Sequence, residues 1–183
     1  LNVTAVRGDG TGFVTVWGCS TPRPETSSVN FDGPAAAPNT VISTLSETGS
    51  ICIYASEDVD VIVDVTGSFA EGSSFAGVTP DRLLDTRTGE QVTPAEPVEV
   101  ELTGAPENTT AAVLNVTAVR GVETGFLTVW DCSSPRPTTS SVNFAGPAAS
   151  PNTVISKTSD DGSVCVYASE DVDVLVDVTG YFG

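Results

Sequence analysis

Acidic side chains come closest to forming a chemical site in this sequence. Two short acidic runs each precede a valine-rich segment. Their carboxylates are Glu57, Asp58 and Asp60 in the first run and Glu170, Asp171 and Asp173 in the second. Calcium binds about six to eight oxygen atoms from carboxylates, carbonyls and water, so these residues are candidate calcium ligands at a loop edge. No EF-hand spacing is present, however, and acidic residues on a strand edge also discourage aggregation. Calcium binding and a solvated acidic edge both stay open.

The residue types argue against catalysis. The 183 residues include no histidine, which excludes Ser–His and Cys–His nucleophile pairs. Paired carboxylates can cleave glycosides, but the two acidic runs are repeated identically, and a tandem repeat of one active site is unusual. No Gly-rich phosphate loop is present. We therefore expect no enzyme, and no cofactor other than calcium.

The elements that carry these side chains are set by an internal repeat. Residues 1–70 align without a gap on residues 114–183, and 53 of the 70 positions are identical. Such self-similarity indicates a repeated structural unit. Residues 71–113 have no partner in the sequence, so we predict one whole copy and one copy that lacks its first third. We expect the chain to begin within a strand of a longer array, because Leu114 lies inside the apolar run AAVLNVTAV.

Cysteine spacing follows the same repeat. The four cysteines are Cys19, Cys52, Cys132 and Cys165. Four cysteines allow three pairings, and the repeat favours Cys19–Cys52 and Cys132–Cys165. Zinc is a poor alternative, because each copy offers two thiols and no histidine. Disulfides imply an oxidising compartment, so we expect the protein to be extracellular or attached to the cell surface.

The apolar pattern has a period of two, which is typical of strands. In the whole copy we predict strands near 82–87, 98–103, 111–119, 125–132, 140–144, 152–157, 163–168 and 172–178. Short strands bounded by Gly, Pro, Asn and Asp predict an all-β protein of tandem sandwich or jelly-roll-like modules, with one disulfide each. The predicted units are a partial module at 1–70, a linker at 71–80 and a complete module at 81–183.

Aromatic residues flank the predicted bridges. Trp17 and Tyr54 accompany the first bridge, and Trp130 and Tyr167 accompany the second. One interpretation is an aromatic plug packed with the disulfide in the core of a sandwich. The other is a platform on which glycans stack. The exposure of the two tryptophans distinguishes these interpretations.

Two further features concern the start of the whole module. Asp177 lies between valines and is expected to form a structural ion pair with Arg82 or Arg87. The Gly/Ser-rich segment 68–80 carries Phe69 and Phe75, which would be unusual in a free tether. We predict that these rings dock against a module.

The charge balance restricts the partners. The chain has 24 acidic and 7 basic residues, for a net charge of −17. Such a surface is poorly suited to nucleic acid or anionic membranes. No run of 18 apolar residues is present, so we expect no membrane insertion.

The order of motifs resembles a known family. DRLLDTRTG, AAVLNVTAV, GFLTVWDC, PRPTTSSVNF and VCVYASEDVDVLVDVTGYF together resemble secreted all-β repeat modules of cell-surface and extracellular proteins from actinobacterial-type, Gram-positive bacteria. The resemblance implies an extracellular β-module without chemistry of its own. It supplies no catalytic residues.

From these features we expect a structural repeat subunit of an extracellular bacterial assembly, such as a fibre, stalk, sheath or surface layer. Its expected partners are copies of itself or neighbouring modules. The alternative is a module that binds carbohydrate or adheres to a surface through exposed aromatic residues.

Overall fold

The fold is almost entirely β-structure. The structure, a computed structural model, describes residues 1–65, 68–69, 72 and 74–183. These residues form fourteen strands and one short 3-10 helix, with no α-helix among them. In chain order they are β1 (Asn2–Val6), β2 (Thr11–Gly18), β3 (Val29–Asp32), β4 (Ala37–Thr40), β5 (Ile51–Ala55), β6 (Asp60–Asp64), β7 (Phe75–Asp85), the 3-10 helix (Thr86–Thr88), β8 (Val98–Glu101), β9 (Ala111–Val119), β10 (Thr124–Trp130), β11 (Val142–Ala145), β12 (Ser150–Lys157), β13 (Ser163–Ala168) and β14 (Asp173–Phe182). The all-β prediction is confirmed.

The described strands form four antiparallel sheets, two from residues 1–65 (the N-terminal half) and two from residues 74–183 (the C-terminal half). The strand orders are β4-β1-β6 and β3-β2-β5 in the N-terminal half, and β12-β9-β14-β7 and β11-β10-β13-β8 in the C-terminal half. Antiparallel sheets that each bury one face are typical of a sandwich. The sandwich-like architecture agrees with the prediction, and the division into tandem modules stays a prediction.

The core of the C-terminal half lies between its two sheets. Strand β9 shows how the period of two builds it: Leu114 and Val116 are fully buried in this core, and Asn115 between them points to the opposite face. Leu127 and Val166 meet them from the other sheet. Burial of one such side chain contributes about 1.5–3 kcal/mol, so this core is the main source of stability in this half.

The core of the N-terminal half is smaller. It consists of Val3, Ala5, Val14, Val16, Val29, Phe31 and Val41. Strands β1 to β6 repeat in the order of β9 to β14, but no strand within residues 1–65 takes the positions that β7 and β8 hold in the C-terminal half. Each sheet of the N-terminal half is therefore one strand narrower.

The main difference from the predicted strands is at the start of the C-terminal half. We predicted a linker at 71–80 and a first strand at 82–87, whereas β7 begins at Phe75 and ends at Asp85. The linker prediction is wrong for residues 75–80, because this segment pairs with β14, for example Gly77 with Gly180. Residues 71 and 73 lie outside the described residues.

The docking of the two linker phenylalanines is confirmed. The ring of Phe75 has its centroid 4.3 Å from that of Phe69 and 5.1 Å from that of Phe182, the last residue of β14. Gly180 makes room for this cluster, since a Cβ there would lie 2.4 Å from the Phe75 ring. The aromatic rings thus fix the start of β7 on the C-terminal half.

A second close glycine–aromatic contact occurs once in each half. Gly12 pairs with Phe31 across β2 and β3, and a Cβ on Gly12 would lie 2.5 Å from the Phe31 ring. Gly125 and Phe144 repeat this geometry at 2.6 Å. The missing side chain lets the ring lie over the backbone of the neighbouring strand, as aromatic residues commonly do over strand glycines.

Among the described residues, no helix is long and apolar enough to cross a membrane.

Candidate functional site

An ion pair joins the first and last strands of the C-terminal half. Arg82 on β7 pairs in register with Asp177 on β14. Its Nε donates to Asp177 Oδ1 at 2.7 Å and its Nη2 donates to Oδ2 at 3.1 Å. The Asp177 side chain is 1% exposed, and burial raises its pKa although the hydrogen bonds from Arg82 lower it. Of the two predicted partners, the structure assigns Arg82 to Asp177.

Arg87 is paired elsewhere. It donates from Nε and Nη2 to the carboxylate of Asp85, at 2.9 Å and 2.5 Å. Asp85 also accepts the backbone N–H of Arg87 and so caps the 3-10 helix. The Arg87 side-chain hydrogen bonds hold the pKa of Asp85 at about 2. The second predicted arginine thus fixes the turn that follows β7.

The buried carboxylate of Asp173 belongs to the same end of the sheet. The hydroxyl of Thr86 donates to Asp173 Oδ1 at 3.0 Å and accepts the backbone N–H of Val174 at 2.9 Å. Arg120 Nη1 lies 3.7 Å from Asp173 Oδ2. The Thr86 hydroxyl therefore bridges the 3-10 helix to β14. No sequence pattern marks Thr86, because its role depends on where the turn packs.

The counterparts in the N-terminal half keep the acids and lack the partners that correspond to Arg82 and Thr86. Asp64 and Asp60 stand where the C-terminal half has Asp177 and Asp173, and both are exposed. Asp60 forms an ion pair with Arg7, the counterpart of Arg120, at 2.5 Å. Within the described residues the Asp64 side chain has no ion pair or hydrogen bond. Asp64 thus lacks the partner that Asp177 has, and Asp60 keeps only the arginine that corresponds to Arg120.

The predicted calcium ligands do not converge. Glu57, Asp58, Glu170 and Asp171 are exposed, whereas Asp173 is turned toward Thr86. Among the described residues, no group of three or more acidic or cysteine side chains lies close enough together to hold a metal ion. The calcium site stays a prediction.

The cysteines pair as the repeat favours. Disulfides join Cys19 to Cys52 and Cys132 to Cys165. They lie on the outer faces of the sheets, because the alternate residues Val14 and Val16 of β2 are the ones that enter the core. Each bridge ties the end of a long strand to its neighbour.

The prediction of an aromatic plug in the core is wrong. Among the described residues, the buried core clusters contain neither Trp17 nor Trp130. Both indoles are half-buried on the outer face, where each donates its ring N–H to a carbonyl of the following loop, Thr21 O and Ser134 O, at 3.0 Å. The outer face is the one that carries Phe13 and Thr15, opposite the valines.

On the same face, an arginine side chain stacks on each tyrosine ring. The Arg23 guanidinium carbon lies 3.9 Å from the ring centroid of Tyr54, and Arg136 lies 3.6 Å from that of Tyr167. Cation–π contacts of this kind hold the Pro- and Arg-containing loop against the sheet. One face of each ring is therefore occupied within the protein, and glycan binding at these residues stays a prediction.

The two halves meet through asparagines that sequence reasoning missed. Asn39 Nδ2 donates to Asn115 Oδ1 at 3.0 Å, and both side chains are buried. Asn115 Nδ2 donates to Ser27 O at 2.6 Å, and Asn39 Oδ1 accepts the backbone N–H of Thr153 at 3.3 Å. The Thr153 hydroxyl donates to the carbonyl of Thr40. These bonds satisfy the amides in a buried contact, where an unpaired amide would be costly.

A cavity of about 270 Å³ lies beside this contact. Phe13 and Glu25 line it from the N-terminal half, and Arg82 and Leu175 line it from the C-terminal half. The hydroxyl of Thr117 on its wall has no hydrogen-bond partner among the described residues. The contact between the halves is therefore close at the asparagines and open beside them.

No protein-family model matches the chain, and a search of curated proteins returned no match. The resemblance to secreted repeat modules stays a prediction, and the function is inferred from the geometry above.

Proposed function

We propose that the protein is a structural repeat unit whose copies stack head to tail in an extracellular bacterial assembly. The proposal rests on the contact between the halves, because the repeat copies both of its surfaces except the part of the C-terminal surface that β7 supplies. We call the N-terminal surface the front face (Ser27, Asn39 and Ile42) and the C-terminal surface the back face (Asn115, Thr153 and Leu175).

The repeat places a second front face on the C-terminal half. Its residues are Ser140, Asn152 and Ile155, at the positions equivalent to Ser27, Asn39 and Ile42. Asn152 donates to the carbonyl of Ser141 at 2.8 Å, just as Asn39 donates to that of Ser28. Asn152 is exposed, and Ile155 is 58% exposed. This face therefore has the same shape as the one in use but no neighbour in the structure.

A second back face is present on the N-terminal half. Its residues are Asn2, Thr40 and Ile62, equivalent to Asn115, Thr153 and Leu175. Leu175 is 5% exposed beside the contact, whereas Ile62 is 49% exposed. Each free face thus exposes one apolar side chain whose counterpart at the contact between the halves is less exposed.

Front and back are different surfaces, so their contact is heterologous. A heterologous contact between identical units generates a ring when its rotation closes and a filament when it does not. The free front face of one chain fits the free back face of the next, and every added chain presents the same two faces again. Disulfides on the outer surface suit an extracellular location. This role requires no catalysis.

Assembly of the full chain tests the proposal. Light scattering after size-exclusion chromatography and negative-stain electron microscopy are recorded over increasing protein concentration. We expect linear or ring-shaped oligomers, which Asn152→Lys prevents by placing an amine where the next back face must dock. Asn152 takes no part in the internal contact, so the contact between the halves is unchanged.

Thr103→Lys is the matched control. It adds the same charge in the exposed turn after β8, at the sheet edge opposite β11, and should assemble as the unaltered chain does. A chain that stays monomeric at every concentration, or two lysine variants that assemble equally well, would contradict the stacking proposal.

A further inference from the structure

Two strands of the N-terminal half have an open edge. In the C-terminal half, β14 lies between β9 and β7, and β13 lies between β10 and β8. Their counterparts β6 and β5 pair with β1 and β2 on one side only, within residues 1–65. An open edge leaves a row of backbone N–H and C=O groups that can pair with another chain.

The exposure of apolar residues follows these open edges. Val166 of β13 is fully buried, whereas its counterpart Ile53 of β5 is 40% exposed. Val174 of β14 is fully buried, and its counterpart Val61 is only half-buried. The core of the N-terminal half is therefore uncovered on the side where β7 and β8 cover the C-terminal half.

The acidic residues on β6 also indicate which side chains a strand paired with this edge would carry. In the C-terminal half the carboxylates of Asp177 and Asp173 receive the guanidinium of Arg82 and the hydroxyl of Thr86. Asp64 and Asp60 keep the same acids at the open edge of β6. Exposed carboxylates at these two positions match a strand that brings a guanidinium and a hydroxyl at the same spacing.

We propose that β5 and β6 bind a polypeptide segment of the type of residues 75–102, supplied from outside residues 1–183. One strand of the segment pairs with β6 and sets an arginine against Asp64 and a hydroxyl near Asp60. The other pairs with β5 and covers Ile53. This strand addition gives each sheet a fourth strand and closes the core of the N-terminal half.

A second copy of this chain is a poor occupant of the same edges. Its own β7 and β8 are already paired with β14 and β13. Pairing β6 with β6 of another copy would bring Asp60 and Asp64 of the two chains together, and like charges across paired strands are destabilising. Strand addition uses the backbone edges of β5 and β6, whereas head-to-tail stacking uses side chains of the front and back faces; the two share only the face of β6 that carries Ile62 and Asp64.

The first test adds a synthetic peptide of residues 75–102 to the full chain. Fluorescence anisotropy of the labelled peptide reports binding, and hydrogen–deuterium exchange locates it. We expect exchange at the amides of β5 and β6 to slow by about tenfold or more, since pairing removes open amides from solvent. Amides of β13 and β14 should not change, because their edges are occupied.

Two substitutions test the chemistry of the pairing. A peptide with Arg82→Glu should bind at least about tenfold more weakly, because it sets two carboxylates against each other. The full chain with Asp64→Asn should lose most of this discrimination between the two peptides. Equal binding of both peptides to the unaltered chain would overturn the proposed role of Asp64.

A fusion keeps the test decisive if the free peptide binds too weakly. A copy of residues 71–113 is placed directly before Leu1, because Val113 directly precedes Leu114, the counterpart of Leu1. We expect protection of β5 and β6 in this fusion and its loss when the copied arginine is changed to glutamate. A scrambled copy of the segment is the composition control.

The outcomes separate the two proposals. Protection in neither the peptide nor the fusion experiment overturns strand addition, as does equal protection by the scrambled copy. Slow exchange of β5 and β6 in the chain alone, rising with its concentration, assigns the edges to a second copy and also overturns it. Oligomers that vanish with Asn152→Lys would leave stacking intact in each case.

Discussion

The Arg82 guanidinium and the Asp177 carboxylate form a two-bond fork, with Nε–Oδ1 and Nη2–Oδ2 distances of 2.7 and 3.1 Å. The pair is unequal in exposure: the Arg82 side chain is 23% exposed and the Asp177 side chain 1%. Loss of either partner therefore leaves a very different group behind.

We expect Arg82→Met to lower the free energy of unfolding more than Asp177→Asn. Removal of one partner of a buried pair costs about 3–5 kcal/mol, because it leaves an uncompensated buried charge. Asp177→Asn leaves an arginine that reaches water, and the loss of a hydrogen bond to a charged group costs about 1.5–3 kcal/mol. Urea unfolding of the two variants at neutral pH measures the difference, and equal losses would contradict this account.

Acid should partly rescue the same Arg82→Met variant. Burial raises the pKa of Asp177 above its ordinary value of 3.8. The folded state then binds the proton more tightly than the unfolded state, so the penalty of the buried carboxylate is present above the raised pKa and fades as pH falls through it. The stability gap to the unaltered chain should narrow from pH 7 toward pH 4. A gap that widens would show that the carboxylate is not the cause.

Asp85 predicts the opposite behaviour at lower pH. Its pKa is about 2 in the folded protein, against 3.8 ordinarily, chiefly because of the Arg87 hydrogen bonds. The stabilisation that Asp85 provides is complete above its pKa in the unfolded chain, and it is lost as the pH falls from about 4 to about 2. Asp85→Asn keeps an oxygen that can cap the 3-10 helix but removes the charge, so its stability should fall less over this interval.

Acid-induced unfolding followed by circular dichroism checks this expectation. The exposed Asp161→Asn serves as the surface control and should follow the unaltered chain. Parallel acid curves for Asp85→Asn and Asp161→Asn would remove the assigned role of Asp85.

The glycine–aromatic contacts predict a matched pair of substitutions. Gly12→Ala should destabilise the N-terminal half, because the new Cβ would lie 2.5 Å from the Phe31 ring, and overpacking of this kind costs about 1–3 kcal/mol. Gly10→Ala, with no atom within 4 Å of the added Cβ, should change the stability little. Thermal melting of the two variants tests the contrast. A loss with Gly10→Ala as large as with Gly12→Ala would point to backbone freedom and not to the ring.

The two disulfides should differ in importance. In the chain-entropy description, a bridge across 33 residues stabilises by roughly 3–4 kcal/mol. We expect Cys19→Ser with Cys52→Ser to unfold the N-terminal half, whose core is small, and Cys132→Ser with Cys165→Ser to leave the C-terminal half folded but weakened. Trp17 and Trp130 supply one fluorescence reporter per half when the other is changed to phenylalanine. If each half lost the same stability when its own disulfide was removed, the explanation from core size would be contradicted.

Local sequence patterns were enough to predict most strands and the pairing of the cysteines. The alternation in DVDVIVDVTG marks β6, and that in DVDVLVDVTG marks β14, because a strand with one buried face must alternate. The repeat was sufficient to pair Cys19 with Cys52. The strand character of residues 75–80 was not predictable from FAGVTP, whose glycine and proline suggest a loop. It arises from pairing with β14, which is a tertiary effect.

The contact between the halves could not be predicted from the sequence for a related reason. An asparagine that points outward from a strand, such as Asn115, or that lies on an edge strand, such as Asn39, has the same pattern whether it faces water or a neighbour. Only the packing of the second half distinguishes Asn39 from its exposed copy Asn152. A polar residue within the apolar run AAVLNVTAV was the one available signal, since it interrupts an otherwise continuous series.

The pairing of Phe75 with Phe182 also determines how the C-terminal half responds to tension. These residues end two adjacent antiparallel strands, so a pull applied between them loads the perpendicular ladder bonds one pair at a time and peels β7 from β14 like a zipper. The Cys132–Cys165 bridge then withholds 33 residues from extension, about 110 Å of contour length at roughly 3.4 Å per residue. Tension applied at these two points would therefore lengthen the C-terminal half in a series of short steps at low force.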